Sequence, residues 1–77
     1  MYLKRLRELR EDNDKTQMEI SEILEMKQPQ YIRYEKGIRD IPLDNLMKLA
    51  ELYNTSTDYI LGLTDEMKPY PRTKKQL

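Results

Sequence analysis

The chain contains no cysteine and no histidine. That absence excludes disulfides, thiol chemistry and the usual zinc sites, and leaves nothing resembling a nucleophile–histidine triad. No enzymatic activity, metal or cofactor is expected. A long apolar run is missing too, since a bilayer-spanning helix needs roughly 20 consecutive apolar residues. With no signal peptide discernible, a cytoplasmic location is the expectation. Excess charge of one sign is also lacking, because 14 Lys and Arg cancel against 14 Asp and Glu. The overall positive field that marks many nucleic-acid binders is therefore absent. At 77 residues the chain is expected to form one domain without a separate sensor region. A single core of that size is marginal, so self-association would help to stabilise it.

What is present is concentrated between Thr16 and Arg39, TQMEISEILEMKQPQYIRYEKGIR. Thr16 followed three residues later by Glu19 is a capping box, so a helix starts at about Gln17. Ile20, Ile23 and Leu24 recur at helical spacing and predict one buried side, with Glu19, Glu22 and Glu25 facing water. Pro29 lacks an N–H and suits only the first turn of a second helix. Gln28, Gln30 and Arg33 come near the start of that helix and along one side, and Tyr31 and Tyr34 recur at a spacing of three. Gly37 supplies a left-handed stop after roughly two turns. A Gln amide matches adenine N6 and N7, and an Arg fork matches guanine O6 and N7, in the DNA major groove. Two short helices joined by a tight turn, the second bearing such side chains, have the outline of a helix-turn-helix reader; a solvated polar face is the bland alternative.

The flanking segments complete an all-α bundle. Tyr2, Leu3, Leu6 and Leu9 give a first helix its apolar stripe, and the polar run Asp12-Asn13-Asp14-Lys15 ends it. Pro42 opens a fourth helix, with Leu43, Leu46, Met47, Ala50 and Tyr53 at core spacing and Asn54 at its close. Ser56 is a good N-cap for a short fifth helix through Tyr59, Ile60 and Leu61, which Gly62 terminates. From Leu63 to Leu77 the Pro-containing, basic sequence has no helical period. It is expected to be an extended or disordered tail, a basic arm, or a strand exchanged between subunits.

Charge is sorted along the chain. Between Lys27 and Arg39 four basic residues, Lys27, Arg33, Lys36 and Arg39, stand against Glu35 alone. The first helix of the pair carries Glu19, Glu22 and Glu25 instead. The prospective reading edge is thus the positive part of a neutral molecule.

These pieces together resemble the Cro/XRE (phage-repressor-like) family of helix-turn-helix transcriptional regulators. The resemblance is carried by LRELRE at positions 6–11, TQMEIS at 16–21, the RYEKG run from Arg33 to Gly37, Arg39, IPLDNLMKLAELYN from Ile41 to Asn54, and STDYILG from Ser56 to Gly62. It implies a compact five-helix, lambda-repressor-like domain over residues 1–62, with residues 63–77 as a tail or dimer arm. Gln28, Pro29, Gln30 and Arg33 occupy its base-reading positions. Gln17, at the amino end of the supporting helix, and Lys27, Lys36 and Arg39 match positions that contact phosphates, which orient the protein without reading sequence. The resemblance also pairs Arg10 with Glu35, a guanidinium and a carboxylate able to share two parallel hydrogen bonds.

Some positions depart from the family pattern. Glu25 stands where Gly is frequent, so a non-Gly residue is expected in the left-handed region at a cost of roughly 1–2 kcal/mol. Lys27 stands where Ser or Thr commonly caps the recognition helix, Tyr31 where a smaller aliphatic is common, and Ser21 where Ala is usual.

The reading that follows is a sequence-specific double-stranded DNA binder of bacterial or phage type. It is expected to act as a repressor, a homodimer on an inverted repeat with recognition helices about 34 Å apart. Tyr59, Ile60 and Leu63, with Tyr70, are the candidate dimer contacts, intrachain packing being the alternative for Tyr59 and Ile60. A protein-interaction module on the same scaffold, an antitoxin or anti-repressor, is the competing function.

Overall fold

A computed structural model describes residues 1–72. Five helices follow one another: α1 Lys4–Asp12, α2 Gln17–Ile23, α3 Gln28–Glu35, α4 Leu43–Leu52 and α5 Thr57–Leu61. The starts follow from local chemistry. Thr16 Oγ1 accepts from the Glu19 N–H at 3.0 Å while Glu19 Oε1 accepts from the Thr16 N–H at 2.8 Å, the reciprocal capping box. Ser56 caps α5 by accepting from the Tyr59 N–H at 3.0 Å.

The ends share one device. Asp14, Glu25, Gly37, Asn54 and Gly62 each take a positive φ immediately after a helix. The residue following each then donates its N–H five residues back, Lys15 to Arg10, Met26 to Ser21, Ile38 to Arg33, Thr55 to Ala50 and Leu63 to Asp58, all at 2.9 Å. These are Schellman closures, which satisfy otherwise orphaned carbonyls and turn the chain tightly enough for neighbouring helices to meet. Glu25, at φ 57°, occupies the left-handed position its place in the turn demands, without the freedom of a glycine. Gly37 is constrained doubly, because a Cβ there would lie 2.8 Å from Tyr2 Cα.

α2 packs most extensively on α3, α1 on α3 and α5, and α4 on α5. The shared core is Leu3, Leu6 and Leu9 from α1 and its entry, Ile20 and Leu24, Tyr31 and Tyr34, Leu46, Leu49, Ala50 and Tyr53, and Ile60. Several expected stripes are narrower than their periodicity suggested. Tyr2 precedes α1 and is exposed, its backbone pressed on Gly37. Ile23, Leu43 and Met47 are exposed as well. In α4 the buried register is 46, 49, 50 and 53, so Leu49 belongs to the core, while Leu43 and Met47 border that stripe and are left uncovered.

The segment after Gly62 forms neither helix nor strand over residues 63–72, yet it is docked. Arg5 reaches from α1 to donate to the carbonyls of Tyr59 at 2.7 Å and Thr64 at 2.6 Å, and to Asp65 Oδ1 at 2.8 Å. Its guanidinium lies 3.9 Å from the Tyr59 ring centroid, a cation–π stack. Further along, the buried Thr55 hydroxyl donates to the Met67 carbonyl, and Tyr70 Oη donates to Asp58 Oδ2 at 2.9 Å. The expected tail is therefore a strap fastened to α1, to Thr55 and to α5 as far as residue 72; Lys74 and Lys75 of the expected basic arm lie outside the described residues. No helix among the described residues is long and apolar enough to cross a membrane.

Candidate nucleic-acid interface

The outer side of α3 is held in place by a carboxylate that lies inside the molecule. Arg10 and Glu35 form a two-pronged ion pair, Nε to Oε2 at 2.6 Å and Nη2 to Oε1 at 3.2 Å, with side chains only 12% and 5% exposed. The pairing expected from the family resemblance is thus present. Two donors that the sequence did not suggest complete it: Tyr31 Oη gives a hydrogen bond to Oε2 at 2.7 Å and Gln17 Nε2 one to Oε1 at 3.2 Å. Arg10 spends its remaining Nη1 on the Lys15 carbonyl at 2.9 Å.

The electrostatics follow from these contacts. Burial alone would push the Glu35 carboxyl up, but hydrogen bonds from Arg10, Tyr31 and Gln17 and the Arg10 charge outweigh it and hold the pKa below the ordinary carboxylate value. For Tyr31, burial and then the hydrogen bond to Glu35 push the hydroxyl well above the usual tyrosine range, so it serves as a permanent donor. The bond to Glu35 raises the Arg10 pKa further. One carboxylate thereby ties α1, α2 and α3 together. Tyr31, a departure from the smaller aliphatic usual at its position, earns that place by spacing, one turn before Glu35 on the same helix face.

Around this brace the site residues distribute themselves in a way helical geometry dictates. Pro29, Gln30, Arg33, Lys36 and Arg39 are exposed, and Gln28 and Gln17 are half-buried. Gln30 and Arg33 line one groove with Tyr34 and Arg39. Gln28 lines a different one with Gln17, Lys15 and Lys36. The expectation that Gln28, Gln30 and Arg33 share one side is therefore corrected: Gln28 and Gln30, two residues apart, flank opposite sides of the first turn of α3, because two steps of 100° nearly reverse direction. Both remain at the amino end of α3, the end that a helix-turn-helix points at base edges.

The remaining polar contacts define what is free and what is engaged. Gln30 Nε2 donates to Tyr34 Oη at 3.0 Å. Gln17, expected at a phosphate, has one amide hydrogen engaged with Glu35. Lys27 is the exposed N-cap of α3 and makes no capping hydrogen bond. Ser21 is buried and donates to the Met18 carbonyl at 2.7 Å, so its hydroxyl is satisfied within its own helix. Met26 packs against the core in the turn.

Of the expected dimer residues, Ile60 is only 1% exposed and belongs to the core of its own chain, unavailable to a second copy. Tyr59 is half-buried beneath Arg5, whereas Leu63 is 73% exposed. Tyr70 is exposed, with its hydroxyl on Asp58.

A family model described as Helix-turn-helix matches residues 6–60, the span from the middle of α1 to the end of the core in α5. The chain is 44% identical over 69 residues to an uncharacterized HTH-type transcriptional regulator, YobD, of Bacillus subtilis (strain 168), covering 90% of this chain and 62% of that protein. It is 43% identical over 65 residues to the HTH-type transcriptional regulator ImmR of the same organism, covering 84% of this chain and 51% of that protein. The chain thus spans between half and two-thirds of the length of these relatives. No solved structure matches it significantly.

Proposed function

Because the chain belongs to the Cro/XRE-type helix-turn-helix family of transcriptional regulators, we propose that it binds double-stranded DNA sequence-specifically through α3 and represses transcription as a homodimer on an inverted repeat. The observation that carries this reading is the brace beneath α3. Its carboxylate fixes the helix from within while Gln30, Arg33 and Arg39 stay outside. A helix so held presents donors and acceptors at defined positions, which is what reading base edges requires.

In this reading Gln28, Pro29, Gln30 and Arg33 face the bases in the major groove. Lys27, Lys36, Arg39 and the second amide hydrogen of Gln17 contact phosphates on either side. The acidic face of α2, with Glu19 and Glu22 exposed, and the exposed Glu25 in the turn after it are turned from the duplex. Leu63, together with the edge of Tyr59, supplies the apolar contact between subunits, and twofold pairing sets two copies of α3 one helical turn apart. With no net charge to draw it to DNA, affinity depends on base contacts and on pairing of subunits more than on long-range attraction.

Selection from a randomised duplex library tests the proposal. A short inverted repeat is the expected product, and Arg33→Ala should relax preference at a particular base pair by about 1–3 kcal/mol. Failure to enrich any sequence would overturn it in favour of a protein-interaction role for the same scaffold.

A further inference from the structure

We propose that Tyr34 sets which edge of the Gln30 amide is offered to a base and thereby gives α3 a preference for adenine over guanine at the position Gln30 reads; the proposal rests on the base-reading role assigned to Gln30 above. Gln30 is exposed, and an exposed Gln ordinarily samples many rotamers that must be frozen when it binds. Here it is already held. Its Nε2 lies 3.0 Å from Tyr34 Oη, one turn along the same helix face. Tyr34 is itself only 6% exposed and is fixed in the core, so its hydroxyl is a stationary acceptor at the boundary between core and groove.

The chemistry of the held amide is specific. One of the two Nε2 hydrogens goes to Tyr34, leaving the second hydrogen and Oε1 as an adjacent donor and acceptor. That pair complements adenine, which offers an acceptor at N7 and a donor at N6. Guanine offers acceptors at both N7 and O6, and its O6 would meet Oε1 lone pair to lone pair. Arg33, lining the same groove, carries only donors and is suited to guanine instead. Without the tyrosine hydroxyl the amide is free to turn and direct both hydrogens outward, an arrangement that accepts guanine as readily.

The test uses an inverted-repeat duplex obtained by selection, varied to each base pair at the position most affected by Gln30→Ala. Dissociation constants are measured by fluorescence anisotropy for the wild type, Tyr34→Phe, Gln30→Ala and the double variant. Tyr34→Phe keeps the ring and should leave the affinity for a scrambled duplex within about twofold, while adenine-over-guanine discrimination falls about two- to tenfold. In the Gln30→Ala background it should have no further effect on discrimination. In the free protein, NMR relaxation of the Gln30 side-chain NH2 should show faster motion in Tyr34→Phe. Unchanged discrimination in Tyr34→Phe, or an equal loss with and without Gln30, would overturn the inference while leaving Gln30 as a reader. If Gln30→Ala changes preference at no position, the base-reading role itself fails and this inference with it.

Discussion

Removing Arg10 should destabilise the protein more than removing Glu35, although the two form one ion pair. Arg10→Met leaves the Glu35 carboxylate 5% exposed with Tyr31 and Gln17 as its remaining donors. Glu35→Met leaves a guanidinium that still holds the Lys15 carbonyl and can swing its long stem towards water. Breaking a buried pair from one side costs about 3–5 kcal/mol, and the carboxylate should sit at the upper end. Against a total of about 4–12 kcal/mol for a chain of this size, either loss is severe, lowering the melting temperature by more than about 12 °C. Arg10→Met with Glu35→Met should cost much less than the two singles added, leaving chiefly the Tyr31 hydroxyl without its acceptor, about 1–3 kcal/mol. Adding Tyr31→Phe should recover most of that remainder. Urea unfolding followed by helical circular dichroism measures each step. The pH dependence gives an independent check. The folded pKa of Glu35 lies below the unfolded value, which is about 4.3, so its stabilisation is complete above that value and is lost as pH falls through the folded pKa. The wild type should therefore lose stability on acidification below about pH 4.3 more steeply than Glu35→Gln. Single substitutions costing under about 1 kcal/mol, or a coupling indistinguishable from zero in the cycle, would refute the argument.

Tyr53→Phe should raise stability by about 1 kcal/mol in thermal melts, because the Tyr53 hydroxyl is buried with no hydrogen-bond partner among the described residues. Glu25→Gly should raise it by about 0.5–1 kcal/mol in urea titrations, the left-handed penalty removed less the entropy of the new glycine. Lys36→Ala should weaken binding to all DNA sequences alike and reduce the slope of log affinity against log salt by about 1. Arg5→Met should accelerate amide hydrogen exchange over residues 63–72 while α2 and α3 keep their protection, since Arg5 clamps that strap from α1.

Helix existence and helix ends were legible because their causes are local. Thr16 with Glu19, Pro29, Ser56, Gly37 and Gly62 act on backbone groups within a few residues of themselves. The left-handed Glu25 was legible only by comparison with a family in which glycine is frequent there, and so was the Arg10–Glu35 pair, because two charges separated by 25 positions carry no periodicity. The α4 register is not fixed by periodicity, which favours Leu43 and Met47 over Leu49, since a helix with apolar residues at 43, 46, 47, 49 and 50 has more than one plausible buried stripe until its neighbours choose. Docking of residues 63–72 is not legible because two of the groups that fasten them, Arg5 and Thr55, donate to carbonyls, and every residue type has a carbonyl. The separation of Gln28 from Gln30 was calculable from helical angles alone; the amide-rich composition of the turn obscured it.

Glu35 lies in the last turn of α3, where the helix dipole disfavours a negative charge, so its presence there needs a compensating cause. A carboxylate has about four acceptor sites, and Arg10 Nε, Arg10 Nη2, Tyr31 Oη and Gln17 Nε2 supply four donors. No rigid displacement of α3 against α1 or α2 keeps all of them. The orientation of α3 is therefore fixed ahead of the proposed binding to a duplex, and its ordering entropy is not subtracted from that binding free energy. For a protein with no net charge that economy matters, because electrostatic attraction contributes little to offset a loose interface. The brace also reaches the proposed backbone contact: Gln17 gives one amide hydrogen to Glu35 and keeps its second, so the carboxylate that holds α3 also orients the side chain proposed to contact a phosphate. Disturbing Glu35 should then weaken base reading and phosphate contact together, whereas a brace serving α3 alone would spare the second.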